Sequence, residues 1–306
     1  MVRFAKPEDL PFLKQAWEVC FEDSKAFIDW NFAENFSCAD TLIAEVDGVP
    51  ASNLQLMPHR IQLGRFTYDI NYVSGVATLP QFRNRGLVRE LFSFAFPVMQ
   101  ERKQPISLLV PFDYGFYEKF GYRKCYDKTY LYADTLPEKN YHKDLSEDLI
   151  ETLDRIYRME MQNHNGYALR TPLDWRKILT DLILLSEGRV LVEPEGYALI
   201  APRKEGGYEV HELCGKCSLT PRQEEKPFAM ARIVDAKRLL ADSAENFEGS
   251  VRLRIQDAQI PQNNFTCRIA GGTLTPCEGF DVSLDIKELA PLIFTSGKKP
   301  YLNMIF

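Results

Sequence analysis

The chain has 306 residues, 45% of them apolar and 26% charged. That is ordinary globular usage, with length for about two domains of ~150 residues. It carries 37 basic and 43 acidic residues, a net charge of −6, which argues against nucleic-acid binding through the phosphate backbone. No run of about 18 apolar residues predicts a membrane span.

In chain order, residues 2–4 read as a short strand, and Pro7-Glu8-Asp9 opens a helix with Leu10, Leu13, Trp17 and Cys20 on one face. Residues 41–46 predict a strand, and Asp47-Gly48 a two-residue hairpin turn. A second strand is expected over 50–57, a third around 60–63, and a longer one over 69–78 that runs into Leu79-Pro80. A helix follows from about 86 to 102, then a buried strand at 106–111, a short helix at 114–120 and two strand-like pieces reaching about 134. The order strand, helix, three strands, helix, strand, helix, strand predicts an α/β layer on a mixed sheet.

The second stretch predicts a helix at 145–162, helical pattern over 170–185, and strands at 189–192, 196–201 and 207–213. The polar segment 220–227 reads as a break in structure and a domain boundary. Beyond it come a strand-to-helix entry at 228–240, strands at 250–255, 264–270 and 280–284, and a short helix at 285–292.

The seven cysteines form an odd, scattered set and read as reduced thiols. Cys214-Gly-Lys-Cys217 has no second pair to complete a tetrahedral site, so no metal is expected. The N-terminus lacks the apolar core of a signal peptide, and the expectation is a cytoplasmic protein without a membrane partner.

The chemistry concentrates in Val76-Ala77-Thr78-Leu79-Pro80-Gln81-Phe82-Arg83-Asn84-Arg85-Gly86-Leu87-Val88. A strand ends, a glycine turn follows, and a helix begins whose first amides have no intrahelical partner and carry the positive end of the dipole. Such amides hold phosphate, and Arg83 and Arg85 add charge. Taken alone, these residues fit a solvated turn as well as a phosphate cradle. About thirty residues on stands Phe116-Tyr117-Glu118-Lys119-Phe120-Gly121-Tyr122.

The Arg83-x-x-Gly86 loop after its strand, and the Phe-Tyr helix end after it, together resemble the GCN5-related N-acetyltransferase (GNAT) superfamily. With Met230-Ala-Arg-Ile-Val-Asp235 and the terminal Phe306, the chain is similar to the enhanced intracellular survival (Eis) branch of those enzymes. The resemblance implies an α/β (α+β) chain of three parts: an N-terminal GNAT domain over 1–135, a shortened central GNAT-like domain over 136–222, and a sterol-carrier-protein-like domain over 223–306. It implies acetyl-CoA as co-substrate, bound along Val76, Ala77 and Thr78 and by Arg83, Asn84, Arg85, Gly86, Leu87 and Val88. Val88 stands where the family has a small residue.

The resemblance makes the Val76 amide the oxyanion contact, Tyr117 the acid that protonates the departing thiolate, and the terminal carboxylate of Phe306 the base. The strand before the loop offers no carboxylate after Asp69, and Ile305 replaces the glutamate common before the last phenylalanine. By position, Phe21, Asp23, Trp30 and Trp175 match residues that line the amine pocket. The expected reaction is acetylation of a primary amine on a small cationic acceptor, aminoglycoside- or polyamine-like, by a chain that self-associates. The alternative is a catalytically inactive acyl-CoA or lipid sensor.

Overall fold

The computed structural model describes residues 1–245, 247–295 and 297–303. The chain divides into two compact units, residues 1–125 with 229–296, and residues 126–228 with 297–306. It builds most of the first, leaves for the second, and returns.

The first leg contains β1 (Val2–Phe4), α1 (Leu10–Cys20), α2 (Lys25–Asn35), β2 (Thr41–Val46), β3 (Val49–Leu63), β4 (Phe66–Thr78), α3 (Leu87–Glu101), β5 (Ile106–Leu109), α4 (Tyr114–Glu118) and β6 (Arg123–Lys124). The β2–β3 turn needs two residues at positive φ, and Asp47 (51°) and Gly48 (77°) supply them. Two expectations fail. The strands expected at 50–57 and 60–63 are one strand of 15 residues. Pro58 within it falls beyond β2, whose pairing ends at Gln55, so no β2 partner loses a donor. Helix α2 was not foreseen, because its apolar residues form only a weak stripe; Ser24 caps it by accepting from the Phe27 amide at 3.2 Å, and Ile28 and Phe32 are buried.

The second unit holds β7 (Asp127–Ala133), β8 (Tyr141–His142), α5 (Glu147–Met161), β9 (Tyr167–Ala168), α6 (Pro172–Leu179) running into a π-helical turn, β10 (Arg189–Glu193), β11 (Gly196–Pro202), β12 (Tyr208–Gly215) and β13 (Arg222–Pro227). Its sheet has the order β13-β7-β12-β11-β10-β8. The segment expected to break structure at 220–227 is therefore mostly strand: β13 pairs antiparallel with β7 from Arg222↔Tyr132 to Pro227↔Asp127. All six of its residues are exposed, as fits a charged sheet edge that resists further pairing.

The chain then returns as β14 (Met230–Ile233), α7 (Ala236–Ala244), β15 (Ser250–Gln256), β16 (Phe265–Ala270), β17 (Thr273–Pro276), β18 (Val282–Asp285) and α8 (Ile286–Phe294). The last four strands form their own sheet in the order β17-β16-β15-β18. Strand β14 instead enters the first sheet, whose path is β1-β2-β3-β4-β5-β14-β6. All four β14 residues are buried, and Met230 stands opposite both Leu109 of β5 and Lys124 of β6. Arg232 of β14 is fully buried and pairs with buried Asp257 at 2.7 Å. A Cβ on Gly121, at φ +78°, would lie 2.7–3.0 Å from the Arg232 side chain, which is why the turn after α4 carries glycine. Leu54, Leu56 and Val73 of the sheet meet Leu91, Phe92 and Phe96 of α3 in the main core.

Candidate active site

Strands β4 and β5 pair in parallel only at Asn71↔Ser107 and Tyr72↔Leu108. Beyond Tyr72, β4 continues to Thr78 along β3 alone, so one edge of 73–78 has no β5 partner. A bulge interrupts that run. Ser74 faces Gln55 and Ala77 faces Asn53, leaving Gly75 and Val76 opposite a single residue, Leu54. Gly75 has φ +57°, and a Cβ there would sit 2.8 Å from the Trp17 ring. The Asn53 amide donates to the Gly75 carbonyl at 2.6 Å, and the Ser52 hydroxyl to the Ala77 carbonyl at 2.8 Å. The bulge is thus packed from one side by α1 and tied from the other by β3.

Val76 and Thr78 are half-buried and Ala77 is buried. The Arg83 guanidinium folds back onto the strand end, donating to the Thr78 carbonyl at 3.2 Å with the Cys20 sulfur at 3.8 Å. Arg85 lies over the Phe82 ring at 5.5 Å. Asn84 (φ 62°) and Gly86 (φ 77°) both take left-handed conformations. No side chain caps α3 at Gly86, and the space where a Gly86 Cβ would stand is open to 4 Å. Leu87 is buried in the core and Val88 packs against it. The branched residue in the loop's last place therefore turns inward. An α-helix start with uncapped amides and open backbone suits a diphosphate.

Tyr117 sits on α4, 4% exposed, with Phe92, Phe112, Phe116 and Tyr122 rings at 5.2–6.3 Å. Burial, and then the neighbouring Tyr72, push its pKa up. Asp113 caps α4 by accepting from the Phe116 amide at 2.7 Å, which fixes the helix that carries it.

The residues expected to line an amine pocket divide. Phe21 packs against Trp17, the rings tilted at 42° with centroids 4.8 Å apart, and joins Ala77, Leu79 and Phe82 in one cluster. Asp23 accepts from the Trp17 indole at 2.8 Å. Trp17 thus links both residues to the Gly75 bulge. Trp30, half-buried on α2, meets Phe27 at 5.7 Å and is not part of that cluster. Trp175 is fully enclosed in the core of the second unit, its indole donating to Asp154 at 3.0 Å and its face covered by Arg170 at 4.6 Å. Phe306 lies outside the described residues. Sequence reasoning missed Trp17 and Tyr72. The first read as plain helix core. The second read only as one more residue of the strand at 69–78.

Fold and site define a class first: a mixed sheet that opens beside a glycine-started helix. Residues 1–125 match the family model of the acetyltransferase (GNAT) domain. Across its length it shares the fold of Eis1 from Mycobacterium abscessus (TM-score 0.77, 16% identity, 100% of each chain covered). A GCN5-related N-acetyltransferase from Anabaena variabilis matches at TM-score 0.80 and 17% identity, again over 100% of each chain. Another from Kribbella flavida matches at 0.78 and 15%, over 100% of this chain and 98% of that one. No curated protein sequence matches significantly. Among the described residues, no cluster of metal-ligating side chains occurs and no helix is long and apolar enough to cross a membrane.

Proposed function

We propose that this protein transfers an acetyl group from acetyl-CoA to the primary amine of a small cationic acceptor. The observation that carries the reading is the unpaired edge of β4 at 73–78 leading into the uncapped start of α3, with Tyr117 held on α4. In this reading, the edge amides at Val76–Thr78 bind the thioester and its arm by adding backbone hydrogen bonds, as a further strand would. Arg83, Asn84, Arg85 and the amides of Gly86, Leu87 and Val88 hold the diphosphate.

Catalysis asks for oxyanion stabilisation, a proton for the leaving sulfur, and removal of a proton from the amine. The Val76 amide supplies the first. Tyr117 supplies the second: its raised pKa keeps the phenol protonated until a basic thiolate appears beside it. Phe21 and Asp23 form the acceptor side next to the bulge, Asp23 drawing the ammonium. Residues 223–306 count in this reading as the sterol-carrier-like part of the chain.

The test is thiol release from acetyl-CoA with a panel of aminoglycosides, polyamines and lysine. Turnover with at least one amine is expected. Tight acetyl-CoA binding with no thiol release for any amine would mark an acyl-CoA sensor instead, and no calorimetric heat with any CoA derivative would overturn both.

A further inference from the structure

We propose that Asn53 is a positioning residue whose side chain aims the Val76 N–H at the carbonyl oxygen of the bound thioester. This rests on the acetyltransferase reading above and adds to it what points the oxyanion donor. A backbone donor stabilises a developing oxyanion only if it is fixed before the charge appears, because reorganising it during the reaction would cost what the contact gains.

The direction of the β4 amides follows from their pairing. The Leu79 amide donates to the Ala51 carbonyl of β3 at 3.1 Å. In an antiparallel pair, successive residues alternately face the partner strand and turn away from it. Ala77 therefore faces β3 as Leu79 does, and Thr78 turns its N–H to the opposite edge, where β5 does not pair. At Val76 the ladder cannot enforce the same direction, because the bulge interrupts it there. A side chain does so instead. Asn53 is 1% exposed, and its Nδ2 donates to the Gly75 carbonyl at 2.6 Å. The Gly75 carbonyl and the Val76 N–H belong to one trans peptide plane and point in opposite directions. Holding the carbonyl toward β3 sends the N–H to the open edge.

Two neighbours keep the peptide from turning over. A Cβ on Gly75 would lie 2.8 Å from the Trp17 ring, so that ring closes one side of the bulge, and its indole bond to Asp23 at 2.8 Å holds it there. One peptide further on, the Ser52 hydroxyl donates to the Ala77 carbonyl at 2.8 Å. The Asn53 amide has a single workable orientation, since turning it over would set Oδ1 against the Gly75 carbonyl, acceptor against acceptor. Its Oδ1 is buried with no hydrogen-bond partner among the described residues. The fold bears that cost for the one bond the amide donates. Packing alone would be served by an apolar side chain.

The experiment compares wild type with Asn53→Ala and Asn53→Leu; leucine keeps the space filled while removing the donor. Each protein is loaded with acetyl-CoA carrying carbon-13 at the thioester carbonyl, and difference infrared spectroscopy reads the carbonyl stretch. A hydrogen bond to that oxygen lowers the frequency, so the band should lie higher in both variants than in wild type. With the most active amine of the panel, kcat should fall about 10- to 100-fold, less than the ~10²–10³ that outright loss of an oxyanion donor costs. KM for acetyl-CoA, and CoA affinity by calorimetry, should stay within about threefold of wild type, because the lost contact acts in the transition state. That binding also shows the variants to be folded. Loss of packing alone would lower stability and leave the band in place. An unmoved band in a folded variant overturns the proposal, and so does a kcat within about threefold of wild type. If wild type releases no thiol with any amine, the acetyltransferase reading fails instead, and the band still decides whether Asn53 aims the amide.

Discussion

Replacing Tyr117 by phenylalanine separates chemistry from packing at this site. The ring keeps its aromatic neighbours at 5.2–6.3 Å, and a single oxygen is removed. Stability should therefore change by about 1 kcal/mol or less, since no cavity larger than one oxygen opens. Transfer loses its proton donor. A positioned acid contributes on the order of 10²–10⁴. Water reaching the sulfur recovers part of that, so kcat should fall 10- to 1,000-fold, about 1.4–4 kcal/mol of barrier. Burial and the adjacent Tyr72 hold the phenol protonated, so wild type should show no alkaline limb from Tyr117 below its ordinary pKa of ~10. The assay is thiol release at saturating amine, with acetyl-CoA affinity measured by calorimetry alongside. Unchanged turnover in a folded Tyr117→Phe protein would remove this residue from the chemistry.

Three further outcomes follow from the same geometry. Gly86→Val forces a β-branched residue to φ 77° at the start of α3, and should weaken acetyl-CoA binding tenfold or more by calorimetry while the core stays intact. A chain ending at residue 135 should fail to unfold cooperatively in urea, because it lacks β14 between β5 and β6 and the buried Arg232–Asp257 pair. Finally, Arg170→Met should destabilise the second unit by about 3–5 kcal/mol, since it strands Glu212 in the core without its cation.

That last prediction has a pH signature. Burial pushes the Glu212 carboxyl up, but Arg170 and hydrogen bonds from Arg170, Tyr301 and Tyr197 outweigh it, and the pKa lies below the usual value. Its contribution is present above the ordinary glutamate pKa of ~4.3 and is lost as pH falls through the lower folded value. In Arg170→Met the acid unfolding limb should begin at higher pH; acid titration followed by circular dichroism reads the shift.

Several features were legible in the sequence because each depends on a few neighbouring residues. Asp47-Gly48 dictates its turn through two positive φ angles. The apolar spacing of Leu87 to Val98 makes α3. Phe116-Tyr117 and Arg83-x-x-Gly86 mark the ends of helices whose order along the chain identifies the layer. What stayed hidden is non-local. Nothing near Met230–Ile233 says that it will lie between β5 and β6, since a four-residue apolar strand fits many edges and only burial on both faces selects one. The polar β13 looked like a linker because an edge strand needs a partner's backbone more than it needs apolar side chains. Trp17 gains its role only where the Gly75 bulge leaves room for its ring, and Trp175 becomes a stacking surface for a buried arginine only once Tyr157 and Glu212 close around that cation. Local backbone preferences act over a turn or two and can be read from spacing. Strand neighbours and buried charges are chosen by which distant surfaces exclude water together, and that choice exists only in the folded chain.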